Sequence, residues 1–245
     1  TGEYIYNSDE SGVTFTRANL RQDTTLESIR INNYNTVDEV VDEFVNGNID
    51  LFFATSNNDM QLIGKKDYNV KKYKDGETLF LFGNKNSNVF SRKEIRTALM
   101  YSLNRDEIVK NSDNNFIEVI DLPFLYSTIK YKYDVVGAQN IMNSNGWNKN
   151  GYGIYEKYEN GNYIGATLRL LVNEQDTNKV NIANNIKNMA QNVGINIEIE
   201  TLSQENISQK VESGDYDIVL ASVYLNETPN ISFLKNYLNI DYLTY

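Results

Sequence analysis

Neither cysteine nor histidine occurs among the 245 residues. Thiolate and imidazole chemistry is thereby excluded, together with every zinc, haem or Ser-His-Asp arrangement that depends on those side chains. No disulfide can form, so stability must come from a packed core, and a chain of this length can build one large domain or two small ones. Positive charge is scarce as well: 23 basic residues against 33 acidic ones give a formal charge of -10. That balance disfavours nucleic acid or an anionic membrane surface as the main partner and leaves cations and polar solutes open. No apolar run approaches the ~20 residues that span a bilayer. The opening, Thr1 to Tyr6, alternates like a strand and lacks an initiating Met, which reads as mid-domain in an excised or processed piece. Asparagine is abundant, a bias of base composition, and the Asn-x-Ser/Thr triplets at Asn206, Asn226 and Asn230 are what chance supplies in such a chain.

What is present is an alternation of strand and helix periodicities. The clearest stretch is Phe90 to Lys110, where Ser91 and Glu94 form a capping box and Ile95, Ala98, Leu99 and Leu103 recur at helical spacing. Asn104 with Glu107 then caps a second helix carrying Ile108 and Val109. Upstream, strands are expected around 13–16 and 29–31, followed by a Thr36-capped helix through Val37, Val40, Val41, Phe44 and Val45 that ends at Gly47. The run Ile49 to Ala54 reads as a short buried strand, 58–63 as a short helix, and 68–74 with 78–82 as a hairpin or adjacent pair about Asp75-Gly76. From 111 to 132 the periodicity fades into loop. Asp134 starts a helix that stops at Asn145-Gly146, with Gly137 weakening its interior by roughly 1 kcal/mol. Trp147 beside that glycine reads as a lid over the core.

The final third is α/β: a strand at 168–172, a helix at 176–193 ended by Gly194, a strand at 195–199, a Ser203-capped helix to Glu212, and a strand at 216–224. Gly151, Gly153 and Gly161 suit a hairpin and lack the strand, third glycine and GK[ST] of a nucleotide site. Asp50 reads as a strand-end residue. Asp215 and Asp217 share one strand face, the spacing of an acid-base pair, but they also suit a solvated edge, which is the expectation here.

Several of these segments resemble, in order, motifs of family 5 extracellular solute-binding proteins, the capture subunits of ABC importers for peptides and nickel. Thr1, Gly2 and Tyr4 match a G-T-G-P-Y hinge segment, with Glu3 in place of Pro. Gly47, Ile49 and Asp50 match small-x-G-E-I-D, and Leu79 to Asn84 stands where the family has an aromatic strand ending in Asn. Arg96, Ala98, Leu99, Ser102, Leu103, Asn104, Arg105 and Ile108 follow R-x-A-L-x-x-A-I-D-R-x-x-I. Tyr133, Asp134, Ala138, Gly146 and Trp147 follow Y-D-x-x-K-A-x-x-L-L-x-x-A-G-W, the glycines after the Trp suit the family's next hairpin, and Gly214 to Tyr224 follows G-x-Y-D-I-x-x-x-x-W.

The resemblance implies an α/β fold, a periplasmic-binding-protein-like (type II) lobe with a mixed sheet flanked by helices. It implies that 1–245 is a single C-terminal lobe, with 1–8 as hinge strand and the N-terminal lobe absent. It implies non-covalent capture of a peptide or other small polar solute between two lobes, with no catalysis, cofactor or metal. The implied partners are the solute and an ABC permease in the membrane, with no nucleic acid. The implied protein is a monomeric lipoprotein on the extracellular face of a bacterial membrane. A sensor that signals to a partner through the same fold is the alternative. A carboxylate-based hydrolase is a third reading and needs two carboxyl groups facing across a pocket. The expected ligand-binding residues are Tyr4, Asn84, Tyr126, Tyr224, Asn226 and Glu227, with Tyr4, Asn84, Tyr126 and Tyr224 lining one exposed aromatic groove. Sliding peptide-binding members onto Asp217 and Ser232-Phe233-Leu234 places on Asn226 the Asp that holds a peptide's α-amino group, and places the neighbouring Trp on Val223. Both signature groups are missing, and Glu227 is the nearest carboxylate.

Overall fold

The computed structural model describes residues 3–18, 26–54, 68–71, 76–111, 117–120 and 132–225, and divides the chain into two compact units, Thr1–Val70 and Lys71–Tyr245. In the first unit, β1 (Tyr4–Asp9), β2 (Gly12–Arg17) and β3 (Ser28–Asn32) form an antiparallel meander. The segment expected as a hinge strand is thus the first strand of this sheet. The pairing sets Tyr6, Phe15 and Ile29 in one cross-strand row and Ser8, Val13 and Ile31 in the next. Because side chains alternate across a strand, the opposite face carries Asp9, Thr14 and Arg30. There the Arg30 guanidinium meets Asp9 at 3.0 Å and donates to Thr14 Oγ1 at 2.7 Å. The Arg30 guanidinium, with hydrogen bonds from Ser11, holds the Asp9 carboxyl well below the usual carboxylate range.

Helix α1 (Val37–Asn46) begins as its sequence predicts: Thr36 Oγ1 accepts from the Glu39 N–H, and Glu39 reaches back to accept from the Asn35 N–H at 3.0 Å. Gly47 ends it at φ 79°. The buried strand expected at Ile49 to Ala54 is not formed. The segment is irregular, Phe52 packs on Phe44 with ring centroids 5.1 Å apart, and Leu51 and Phe53 face solvent. A short apolar run becomes a buried strand only where a ladder partner exists, and no described strand pairs with it.

The second unit is built on a four-stranded mixed sheet in the order β4-β10-β8-β9, comprising β4 (Glu77–Gly83), β8 (Thr167–Asn173), β9 (Asn196–Leu202) and β10 (Ile218–Tyr224). The last three run parallel and β4 is antiparallel at the edge. Of the two strands expected at 68–74 and 78–82, the second is β4, which pairs with β10; the first is corrected over 68–71, which is not strand, and 72–75 lies outside the described residues. The expected helix at 58–63 also lies outside them. Alternation along β8 sends Leu168, Leu170 and Val172 into the main core and Leu171 to the opposite face. The main core is completed by α2 (Lys93–Ser102), α3 (Arg105–Lys110), α4 (Val135–Ser144) and α5 (Thr177–Val193), through Ile95, Ala98, Leu99, Ile108, Met142, Ala183 and Ile186. On the other face α6 (Gln204–Ser213) supplies Ile207, which packs with Leu171, Tyr216 and Val219. Helices therefore cover both faces, as parallel strands require.

Beyond α1, caps follow the sequence at four helices and depart from it at one. Asn104, Asp134, Asp176 and Ser203 each accept the third backbone N–H beyond them. Gly137 makes room for the second of these, since a Cβ there would stand 2.9 Å from the Asp134 carboxylate. Ser91, by contrast, does not cap α2, which starts from Arg92 with no side-chain cap bond. The preceding turn is held instead by Ser87, whose Oγ accepts from the N–H groups of Val89 and Phe90. Glu94 is drawn away from the box by Trp147, whose ring is fully buried and whose Nε1–H needs an acceptor, found at Glu94 Oε1 (3.3 Å). The strands β5 (Asn148–Lys149), β6 (Tyr155–Glu159) and β7 (Asn162–Gly165) form a small antiparallel sheet after Trp147, closed by the two-residue turn Asn160-Gly161.

Candidate functional site

The parallel strands give the second unit two chemically distinct ends. At the amino end of β10, Asn84 is buried and donates through Nδ2 to the carbonyls of Gly214 (3.0 Å) and Tyr216 (2.8 Å), while its Oδ1 accepts from the Asn86 N–H. Its amide is thus committed within the protein, to clamping the 84–91 loop against the entry to β10. Asp217 completes the clamp by accepting from Ser87 Oγ and from the Arg169 N–H (2.7 Å). Asp215 sits between Lys210 (2.9 Å) and Arg169 (2.7 Å), and those cations hold its carboxyl below the usual range. The solvated-edge expectation fits Asp215 and fails for Asp217, which is turned into the loop junction. Neither carboxylate is free for acid-base work, and they do not face each other across a pocket.

The carboxyl end of the sheet is more open. Two strand-to-helix junctions meet there: Asn173 Nδ2 donates to Gln204 Oε1 at 3.2 Å, and the Glu174 N–H donates to the Leu202 carbonyl at 3.0 Å. A cavity of about 150 Å³ opens beside them, lined by Asn173, Lys179, Gln204 and Ser222 together with the apolar Ile207, Val219, Leu220 and Ala221. Lys179 is paired with Asp176 at 2.8 Å; burial opposes ionisation of that carboxyl, but hydrogen bonds from the Lys179 ammonium and backbone outweigh it and leave it below the usual range. Tyr224 ends β10 at this same edge with its ring 67% exposed. In open α/β sheets ligands bind outside the carboxyl ends of the parallel strands. On that rule this edge is the candidate site.

Of the six residues named from sequence, Tyr224 stands at the carboxyl edge and Asn84 at the opposite end, because antiparallel pairing sets Ile218 against Gly83 and Tyr224 against Glu77. Seven strand steps separate them, about 23 Å at ~3.3 Å per residue, and the Asn84 amide is committed within the protein, so they do not line one groove. That grouping is corrected. Tyr4 belongs to the other unit, where its hydroxyl donates to the Leu26 carbonyl at 3.1 Å. Tyr126, Asn226 and Glu227 lie outside the described residues. Val223, on which the family's Trp falls, is buried. Asn173, Gln204 and Ser222 were not singled out from sequence, although the alternation of strand and helix around them carried a usable signal: each junction follows the end of a parallel strand. Among the described residues no cluster of three or more His, Cys, Asp or Glu could hold a metal, and no helix is long and apolar enough to cross a membrane.

The family model described as bacterial extracellular solute-binding proteins, family 5 Middle, matches residues 1–241. The chain belongs to that family. Solved structures of similar fold include NikA from Brucella suis in complex with Fe(III)-EDTA, at 18% identity and a TM-score of 0.74, covering 96% of this chain and 50% of that one. The periplasmic oligopeptide-binding protein of an oligopeptide ABC transporter from Thermotoga maritima matches at 20% identity and a TM-score of 0.70, covering 100% of this chain and 51% of that one. NikZ from Campylobacter jejuni in complex with Ni(L-His) matches at 19% and 0.66, covering 94% and 47%. This family 5 chain therefore spans about half the length of the solved structures it matches. Its relatives are binding proteins, and the α/β fold with its mixed sheet is the one they share.

Proposed function

We propose that the full-length protein captures a small polar solute, with peptides among the candidates, and delivers it to an ABC permease at the extracellular face of a bacterial membrane. In this reading it is a monomeric lipoprotein that binds without covalent chemistry. The observation that carries the reading is the family match over residues 1–241. It is supported by the cavity at the carboxyl edge of the parallel strands, and by similar structures that hold metal chelates or are named for oligopeptide transport. The second unit supplies one wall of an inter-lobe cleft, with Tyr224 on it and with Asn226 and Glu227, the next residues named from sequence, as further candidate contacts. Asn84 serves by positioning the 84–91 loop. The opposite wall comes from polypeptide outside these 245 residues.

The test is native mass spectrometry of the full-length protein purified from its own host, followed by calorimetric titration of whatever co-purifies. The full-length protein should bind it, Tyr224→Ala should weaken binding at least about 10-fold, and the 245-residue chain should bind at least about 100-fold more weakly, since half a cleft cannot remove a solute from water. Equal affinities for the chain and the full-length protein would sink the two-walled reading.

A further inference from the structure

On the reading of the carboxyl edge as the solute site, we infer that Gly76 is a positioning residue for it: the Gly76 backbone holds the chain as it leaves β10 and thereby fixes Tyr224. The β4-β10 ladder ends at the pair Glu77 and Tyr224. One step further out, the Leu225 N–H still donates to the Gly76 carbonyl at 2.8 Å, and Thr78 Oγ1 donates to the same oxygen at 3.3 Å. Gly76, Thr78 and Leu225 are all buried, so an amide released there would lose its partner without gaining water. Tyr224 itself is 67% exposed and has little to pack against. Its place is therefore set by the main chain, through the ladder before it and the Leu225 bond after it. A binding group works only when its support holds it within about 0.5 Å.

Glycine is what lets this bond close. Gly76 stands at φ 84°, in the left-handed region that side chains disfavour. A Cβ on it would lie 2.5 Å from the Leu225 carbonyl oxygen, a main-chain atom that no rotamer change can carry away. A side chain at this position drives the exit of β10 off the start of β4. Gly161, in the turn between β6 and β7, is the matched control: it has the same φ of 84°, and nothing lies within 4 Å of its Cβ position. Replacing either glycine brings the same backbone strain, but only at Gly76 does the added carbon reach the chain that carries Tyr224.

Hydrogen exchange and peptide binding, both on the full-length protein, test this together. In the unmutated protein the Leu225 amide should exchange at least about 100-fold more slowly than an unstructured amide. Gly76→Ala should speed that exchange at least about 10-fold, and Gly161→Ala by less than about 2-fold. A tryptic peptide pool should bind Gly76→Ala at least about 10-fold more weakly than the unmutated protein, with Gly161→Ala within about 2-fold of it. An unprotected Leu225 amide in the unmutated protein overturns the inference whether or not the variants fold. So does equal exchange in the two variants, or peptide binding that Gly76→Ala leaves intact. An unmutated protein that takes up no peptide counts against peptides as the solute instead, and the exchange comparison alone then decides the role of Gly76.

Discussion

Two residues apart on the way into β10, Asp215 and Asp217 meet opposite surroundings, with side chains 52% and 16% exposed. Asp215 gains screened contacts with two surface cations, whereas Asp217 satisfies a backbone N–H on β8 and a hydroxyl in the 84–91 loop. Removing a partly buried acceptor strands its donors, which costs about 1–3 kcal/mol and more where charge is involved. Asp217→Ala should therefore lower stability by about 2–3 kcal/mol in urea unfolding, and Asp215→Ala by clearly less; the reverse order would contradict this assignment. Glu159 offers a pH test. Arg92 (2.9 Å), and after it Lys157 (2.8 Å), pull its carboxyl from the ordinary 4.5 to about 2. The folded value lies below the unfolded one, so the stabilisation is complete above about pH 4.5 and is lost as pH falls toward 2. NMR titration should find the Glu159 midpoint near 2, and Arg92→Met should raise it; an unchanged midpoint in that variant would remove Arg92 as the cause.

Helices α5 and α6 both end on a left-handed glycine, Gly194 at φ 99° and Gly214 at φ 74°. A side chain at either position pays the left-handed cost of roughly 1–2 kcal/mol, but the surroundings differ. A Cβ at Gly194 would stand 2.9 Å from the Gly153 carbonyl oxygen and 3.0 Å from the Tyr155 ring, while at Gly214 nothing lies within 4 Å. Gly194→Ala should thus destabilise by about 1 kcal/mol or more beyond Gly214→Ala, as read from paired denaturant melts. Equal losses would mean that the hairpin carrying Gly153 moves aside freely. These ends were legible in the sequence because helix, glycine and strand follow one another with clean periods. So were the Asn104, Asp134 and Ser203 caps and the buried strands of the final third. The misreadings came where a long-range partner decides. Glu94 fits a capping box locally and is captured by Trp147, 53 residues away. The described partner of β4 is β10, far along the chain, which no local pattern announces. For the same reason Asn84 and Tyr224, each a plausible groove residue alone, were grouped on one face: only the antiparallel register reveals that a whole strand separates them.

For the molecule as a whole, a formal charge of -10 draws any cationic solute, including one with a free peptide ammonium, toward the surface. That attraction fades beyond a Debye length of about 8 Å at physiological salt, so discrimination between ligands rests on the groups that touch the solute. In the gapless register that the sequence resemblance suggests, anchored on Asp217, the position expected to carry the family's carboxylate for a peptide ammonium is Asn226, and that of the Trp beside it is Val223. The second replacement is consistent with burial of Val223 in β10. An Asn carbonyl still accepts a hydrogen bond but offers no opposing charge, and charge-assisted bonds are roughly twice as strong as neutral ones. Glu227 could restore the charge only through a one-residue shift, which along an extended segment turns a side chain to the other face. The full-length protein should therefore be indifferent to the state of a peptide's amino terminus. Free and N-acetylated versions of one peptide pool should bind it within about 3-fold of each other, and Asn226→Asp should introduce a preference of about 10-fold for the free form. Loss of binding on acetylation in the unmutated protein would place the ammonium-holding charge elsewhere in the site and defeat this assignment.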